Sequence, residues 1–260
     1  MFFSCAAGYP FARALSRGLP HRGFSVNFTC MSKLFTILKH VYRLLPPPLR
    51  KTGPLHSFAF RIMERVGDRN DIYSPKYYQT LVEPYARRSV PQMARSLVET
   101  FSPASVIDVG CGSGALLVGL RKLGVRRLLG LDSSEAGLDI ARARGLDIRN
   151  FDIASDRWSG GERFDIAVSM ETAEHLPKNS ADRYVELLCS LAPVVIFTAA
   201  HPGQGGIGHL NEQPPEYWTE RFKANGFQHA EKTVADWQSA WTAAGVANFY
   251  TRNLMVFQQS

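Results

Sequence analysis

No acidic residue precedes Glu64, whereas Arg13, Arg17, Arg22, Lys33, Lys39, Arg43, Arg50, Lys51 and Arg61 all do, so the formal charge of +7 sits in the N-terminal arm. The rest of the chain carries 21 basic against 23 acidic side chains. That balance gives no general attraction for a phosphate backbone, and no nucleic-acid partner is expected. Cysteine is scarce: Cys5, Cys30, Cys111 and Cys189 lie far apart, with no CxxC pair. This argues against a disulfide framework and a cysteine zinc site, and suits a reducing compartment. Apolar runs of the roughly 18 to 20 residues needed to span a bilayer are also missing, which makes a cytoplasmic location the first expectation. What remains, 260 residues with 45% hydrophobic content, suffices for one full-sized core and a helical appendage.

Residues 1–30 hold Arg, Ser, Phe and Ala, and Arg22-Gly-Phe-Ser25 is shaped like the processing site of a mitochondrial presequence. A genuine presequence would place the protein in mitochondria; a disordered tail ahead of a true start at Met31 is the other reading. From Ser32, Leu34, Leu38, Val41 and Leu45 recur at helical spacing among Lys33, Lys39 and Arg43, and Pro46-Pro47-Pro48 ends the pattern. Such a basic amphipathic helix could make peripheral contact with an anionic membrane or pack on its own domain. Further helical patterns cover 54–66 and 84–101, so 31–100 reads as a helical extension or lid and 101–260 as the catalytic domain. Tyr73, Tyr77 and Tyr78 crowd one short polar segment between them, able to cover a ligand or simply to pack.

From Ser105 onward apolar runs at 105–109, 127–131, 148–151, 164–170 and 194–198 alternate with helical patterns. This is the signature of an α/β fold with a mostly parallel sheet. Two more strand-like runs, 226–234 and 250–257, close the chain around a segment containing Trp237 and Trp241. Ligands of open α/β sheets bind beyond the carboxyl ends of the strands, so chemistry is sought just after each run.

The first run ends Val106-Ile-Asp-Val-Gly-Cys-Gly-Ser-Gly114 and leads straight into a helical pattern. Glycines at 110, 112 and 114 let a ligand approach the backbone and permit positive φ at the turn. Gly110, Gly112 and Ala115 equally fit a dinucleotide fingerprint, so the glycines alone leave the cofactor open. Asp108, Asp132 in Leu129-Gly-Leu-Asp-Ser133, Asp152 in Phe151-Asp-Ile153 and the run Phe164-Asp-Ile-Ala-Val-Ser-Met170 complete the pattern. Together these resemble the class I methyltransferase family, over about residues 100–260. The resemblance implies a Rossmann-like seven-stranded sheet, mostly parallel with an antiparallel last strand. It also implies S-adenosylmethionine as cofactor, with its amino-acid end on the glycine-rich stretch, its ribose on Asp132 and its adenine at Asp152. The implied cofactor set is Asp108, Gly110, Cys111, Gly112, Gly114, Asp132, Ser133, Asp152, Ile153 and Met170.

Methyl transfer to a hydroxyl requires positioning plus removal of a proton, so an O-methylating site wants a base or a metal. Glu171-x-x-Glu174-His175, after the fourth run, resembles the metal-binding motif of small-RNA 3′-end and quinone O-methyltransferases, with His201 or His209 able to complete a ligand set. Ordinary superfamily members carry a similar turn without an ion, and no metal is assigned from sequence. His201, His209 and His175 are the catalytic candidates. The loop 198–218, with Gly203, Gly205, Gly206 and Gly208, resembles that of bacterial methyltransferases of polysaccharide and small-molecule pathways. Its Asn211, Glu212 and Gln213 suit a sugar hydroxyl, so a sugar, glycan or glycolipid O-methylation is the expectation. N- or C-methylation, a nicotinamide oxidoreductase and a non-catalytic cofactor-binding protein stay open beside it. Sequence does not set the oligomeric state.

Overall fold

The computed structural model describes residues 72–159 and 161–260. The expected tail at 1–30 and the helical patterns at 32–45 and 54–66 lie outside them. The described chain opens with a helical turn, Pro75–Tyr77, capped by the Ser74 hydroxyl, and a π-turn, Tyr78–Val82, that runs into α1, Glu83–Phe101. A π-turn widens the helix and re-aims side chains, here Tyr78, which is buried. Pro84 stands just where the π-turn passes into α1, and its missing N–H removes one donor from the helical ladder there. Ser102 ends the helix in the left-handed region at φ 45°, and Pro103 prevents its continuation.

The sheet comprises β1 Ser105–Val109, β2 Arg127–Asp132, β3 Ile148–Asn150, β4 Ile166–Met170, β5 Val194–Thr198, β6 Phe227–His229 and β7 Leu254–Gln259. Its order is β3-β2-β1-β4-β5-β7-β6. The first five strands pair in parallel, and β7 alone is inverted, lying antiparallel between β5 and β6. The helices between them are α2 Ala115–Lys122, α3 Glu135–Ala143, α4 Ala181–Leu191, α5 Pro215–Ala224, α6 Glu231–Ala243 and α7 Asn248–Asn253.

Two expected strands are shorter than their apolar runs. The run 226–234 yields only Phe227–His229, because Glu231 begins α6 and Val234 is a core residue of that helix. The run 250–257 begins as α7: Phe249-Tyr250-Thr251 has strand-like composition, yet Tyr250 turns to a cavity wall, and β7 starts at Leu254. Tertiary context overrides β-propensity at both places. Phe164, too, precedes its strand and packs in the core under the Arg127 guanidinium, 4.2 Å from its ring centroid.

Both faces of the sheet are covered. One packs Tyr184, Phe197, Trp218, Phe222 and Phe257, with the last two rings stacked at 3.9 Å. The other packs Met93 and Leu97 of α1 with Leu120, Ile196, Trp237 and Trp241. Indole N–H groups of Trp237 and Trp241 donate to Thr100 and Ser96 at 3.0 Å, which joins α1 to α6. Burial on both faces explains why the central strands read as unbroken apolar runs. Among the described residues no helix is long and apolar enough to cross a membrane.

Candidate active site

One cavity of about 530 Å³ opens at the carboxyl ends of β1, β2 and β4, the edge where α/β sheets bind ligands. Its floor is the turn after β1. Gly110 and Gly112 adopt φ of 84° and 52°, and their N–H groups are held from β2: Gly110 donates to Leu131 O at 2.8 Å, Gly112 to Asp132 Oδ2 at 2.7 Å. A Cβ on Gly110 would overlap the Thr172 side chain, so β1 and β4 turns approach as closely as they do only because position 110 is glycine. Gly114 also has positive φ and begins α2, but it does not face the cavity; it packs against Leu146.

Asp132, at the end of β2, accepts from Gly112 N and, through Oδ1, from Ser134 N at 2.8 Å, which fixes its carboxylate at the cavity wall beside Ser133. Asp152 and Ile153 line the next portion, with the Asp152 carboxylate bracing a turn through Ala154 N and the Ser155 hydroxyl. Met170 closes this side. Cys111 lines the cavity as well, but burial and the nearby carboxylates of Asp132 and Asp108 push its thiol well up, so it is a small neutral filler.

Asp108 is buried at the cavity floor; burial first, and then the Asp132 charge, push its carboxyl up to about 7. Nine of the ten cofactor candidates therefore line one cavity, and Gly114 supports it from behind. S-adenosylmethionine fits this lining: carboxylates face where a ribose diol, an adenine amine and an α-ammonium need acceptors, and glycine backbone faces where a bulky chain must approach. The Asp108 value sets a pH dependence. Only the ionised carboxylate attracts an ammonium, so affinity for S-adenosylhomocysteine should fall about tenfold from pH 8 to pH 6, with proton release on binding. With its folded pKa raised, Asp108 also costs the ligand-free chain stability as pH rises toward 7. Calorimetry across that range checks this; a flat profile would remove Asp108 from the ammonium site.

Beyond Met170 the chain turns sharply. Glu171 has φ 50°, its N–H held by Thr198 O and Oγ1 at 3.1 and 2.9 Å, and the turn Ala173–His175 follows. Glu174 is fully buried, and its carboxyl packs against that of Glu171. Burial, then the charge of Glu171, pushes its carboxyl well above the usual range. The loop after β5 folds back over this turn, with Leu210 N and Asn211 N donating to Glu174 O at 2.7 and 3.0 Å. It thereby brings His209 to His175, ring centroids 5.0 Å apart. Ligand atoms of Glu174, His175 and His209 all lie within 4.8 Å of one another.

The two imidazoles are oriented alike. His175 Nδ1 lies 3.0 Å from the Gly208 carbonyl, which can only accept, so the proton belongs on Nδ1 and Nε2 is the basic nitrogen. His209 Nδ1 donates to Glu212 Oε1 at 2.8 Å with the same result. Histidines that ligate metals are held in this way, by a carbonyl or carboxylate on the other nitrogen. One buried carboxyl and two basic nitrogens make a donor set suited to a divalent cation, with Glu171 adjacent.

Other expectations in this region change. His201 does not line the cavity; it sits at the loop stem, its Nε2 buried without a partner, and burial plus the Arg252 charge lower its pKa. Of the three candidate histidines the cavity gathers His175 and His209. Glu212, Asn211 and Gln213 do not face it either. Glu212 is the loop's hub: Gly203 N and Gly205 N donate to it at 2.8 and 2.7 Å, alongside His209. Burial alone would raise its pKa, but those hydrogen bonds outweigh it and hold the carboxyl below the usual range. Asn211 is buried and accepts from Gln213 Nε2. The sugar-reading trio is spent on the loop.

What faces the cavity instead is aromatic. Tyr73, Tyr77, Tyr78 and Tyr85 come from the segment before β1, and Phe249 and Tyr250 from α7. The tyrosine segment bridges both ends of the site, its Tyr73 carbonyl accepting from the Ser134 hydroxyl at 3.4 Å while the Tyr73 hydroxyl lies 3.2 Å from His175 Nδ1. Tyr85, Phe249 and Tyr250 carried no local signal, since two segments far apart in the chain build this wall.

Sheet order, the glycine turn and the acids at successive strand ends define an S-adenosylmethionine-dependent methyltransferase. The chain belongs to the methyltransferase-domain family, whose model matches residues 78–252. That sets aside the nicotinamide oxidoreductase reading. Among solved structures, DesVI of Streptomyces venezuelae shares the fold at TM-score 0.52 and 17% identity, over 74% of this chain and 99% of that one. Magnesium protoporphyrin IX methyltransferase of Synechocystis, with S-adenosylhomocysteine bound, aligns at 0.51 and 16%, over 74% and 100%. Curated relatives include ubiquinone biosynthesis O-methyltransferases of Methylobacterium, 33% identical over 39% of this chain and 42% of that one, and of Alkalilimnicola ehrlichii, 33% over 51% and 53%. The chain thus spans about half the length of these relatives or less.

Proposed function

We propose that this chain methylates a hydroxyl oxygen on a small aromatic acceptor, held beside a divalent cation at Glu174, His175 and His209. The observation that carries the reading is Glu174, a fully buried carboxyl beside Glu171, with its ligand atom within 4.8 Å of the nitrogens of two oriented histidines. Ionising a buried carboxyl is costly, and a cation offsets that cost. S-adenosylmethionine supplies an electrophilic methyl group; a cation would lower the pKa of a hydroxyl bound to it. The protein's own work is placement. The Gly110–Gly112 turn and Asp132 fix the cofactor, the tyrosines and Phe249 enclose a flat acceptor, and the cluster meets its hydroxyl at the far end. Aromatic lining favours a ring over a sugar, and two curated relatives carry an O-methyltransferase name in ubiquinone biosynthesis.

A second reading keeps the same site without an ion. His209 Nε2, polarised through Glu212, would then act as the general base, as in other imidazole–carboxylate pairs. Chelation separates the two. Treating the purified chain with EDTA should cut methyl transfer to a catechol probe at least about 100-fold, and manganese or magnesium should restore it. Full activity in chelator would contradict the cation and leave His209 as base.

A further inference from the structure

The loop between β5 and α5 is fastened to the body at two places, by the Gln204 side chain and by the His175 imidazole on the Gly208 carbonyl. Its tip is knotted on itself, since Glu212 takes the N–H groups of Gly203 and Gly205 and the imidazole of His209. Its later stem is pinned by Leu210 N and Asn211 N on the Glu174 carbonyl. Gly203, Gly205 and Gly208 all have positive φ, so the tip's path depends on glycine and on what anchors it. Gln204 reaches across to the junction of α7 and β7: Asn253 Nδ2 donates to Gln204 Oε1 at 2.9 Å and Arg252 Nη2 at 2.6 Å. Gln204 Nε2 in turn donates to Glu171 Oε2 at 3.1 Å.

Asn253 is the second half of the device. It is buried, 1% exposed, and its amide also donates to Glu171 Oε1 and Oε2 at 3.0 and 3.3 Å. Both oxygens of Glu171 therefore accept from neutral amides, and its carboxyl also meets that of Glu174. Of the two acids in the Glu171-x-x-Glu174 motif, Glu171 is the one held by amide side chains from distant segments. Glu171 is held at a left-handed backbone position, a conformation that persists only where its surroundings enforce it.

We propose that Gln204 and Asn253 are positioning residues: they fix the Glu171 carboxylate beside the Glu174–His175–His209 cluster and latch the loop tip that delivers His209 to it. The role given to His209 rests on the proposed function; the latch itself does not. Releasing Gln204 leaves the tip held by the His175–Gly208 contact alone, which loosens the acceptor end while the cofactor end, built on β1 and β2, stays formed.

The test uses the full chain, with Gln204→Met, a half-buried position that tolerates the change, and Asn253→Asp, which turns the shared donor into a charge facing Glu171. Hydrogen exchange over residues 203–209 should quicken about tenfold in each. Manganese binding, followed by electron paramagnetic resonance, should weaken about fivefold or more, and S-adenosylhomocysteine affinity should stay within about twofold. Unchanged exchange in Gln204→Met would overturn the latch. If the unsubstituted chain binds no manganese, the cation reading fails on its own, and the exchange result alone decides the latch.

Discussion

Glu174→Gln should cost about 10³-fold in methyl transfer while the chain stays folded and binds S-adenosylhomocysteine as before. The carboxyl is fully buried, and burial, then the Glu171 charge, pushes it well above its usual range, which favours its neutral form in the ligand-free chain. An isosteric neutral amide then changes little, and folding stability should move by no more than about 1 kcal/mol. The sign with pH agrees: a carboxyl whose folded pKa is raised loses its stabilising contribution as pH rises through that value, a dependence the glutamine variant should lack. A cation changes the balance, because a primary amide is a far poorer ligand than a carboxylate. Loss of turnover and manganese affinity at constant melting temperature is thus the signature of a ligand. A purely structural Glu174 would lower activity only through unfolding, and a parallel fall in melting temperature would show it.

The second large effect belongs to Gly110→Ala. Two contributions add there: a left-handed φ of 84°, costing about 1 to 2 kcal/mol for a residue with a Cβ, and overlap of that Cβ with the Thr172 side chain. Gly124 isolates the first, since it has φ 90° and nothing within 4 Å of an added Cβ. Gly124→Ala should therefore lower stability by about 1 to 2 kcal/mol and leave ligand binding alone. Gly110→Ala should lower it by about 3 kcal/mol or more and weaken S-adenosylhomocysteine binding at least tenfold, because the β1 turn must shift away from Thr172. Denaturant titration and calorimetry on both variants measure the difference. Equal losses would mean that the close approach of the β1 and β4 turns contributes nothing.

How much of this was legible in the sequence depended on how local its cause is. Strands β1 and β5 coincide with their apolar runs, since burial on both faces keeps Val106, Ile107 and Val109, and Val195, Ile196 and Phe197, contiguous or nearly so. Phe249-Tyr250-Thr251 misled, because a helix that turns two aromatics to a cavity has the composition of a strand. The cofactor end was readable for the same reason of locality: Asp108, Gly110 and Gly112 lie within five residues, and Asp132 ends the next strand. The acceptor end was not. Choosing His209 over His201, or seeing that Glu212 is a loop hub, requires the loop's path, which is set by hydrogen bonds to Glu174 O and Glu171 that no spacing encodes. The same limit hid Asn253, a residue without chemical distinction until it is placed between Glu171 and Gln204.

Diffraction at the manganese edge, from the chain crystallised with S-adenosylhomocysteine and manganese, tests the account most directly. It predicts one anomalous peak ligated by Glu174, His175 and His209, with the cofactor's ribose on Asp132 and its amino-acid end over Gly110 and Gly112. Bound S-adenosylhomocysteine with no peak at those three side chains, or a peak elsewhere, would contradict it.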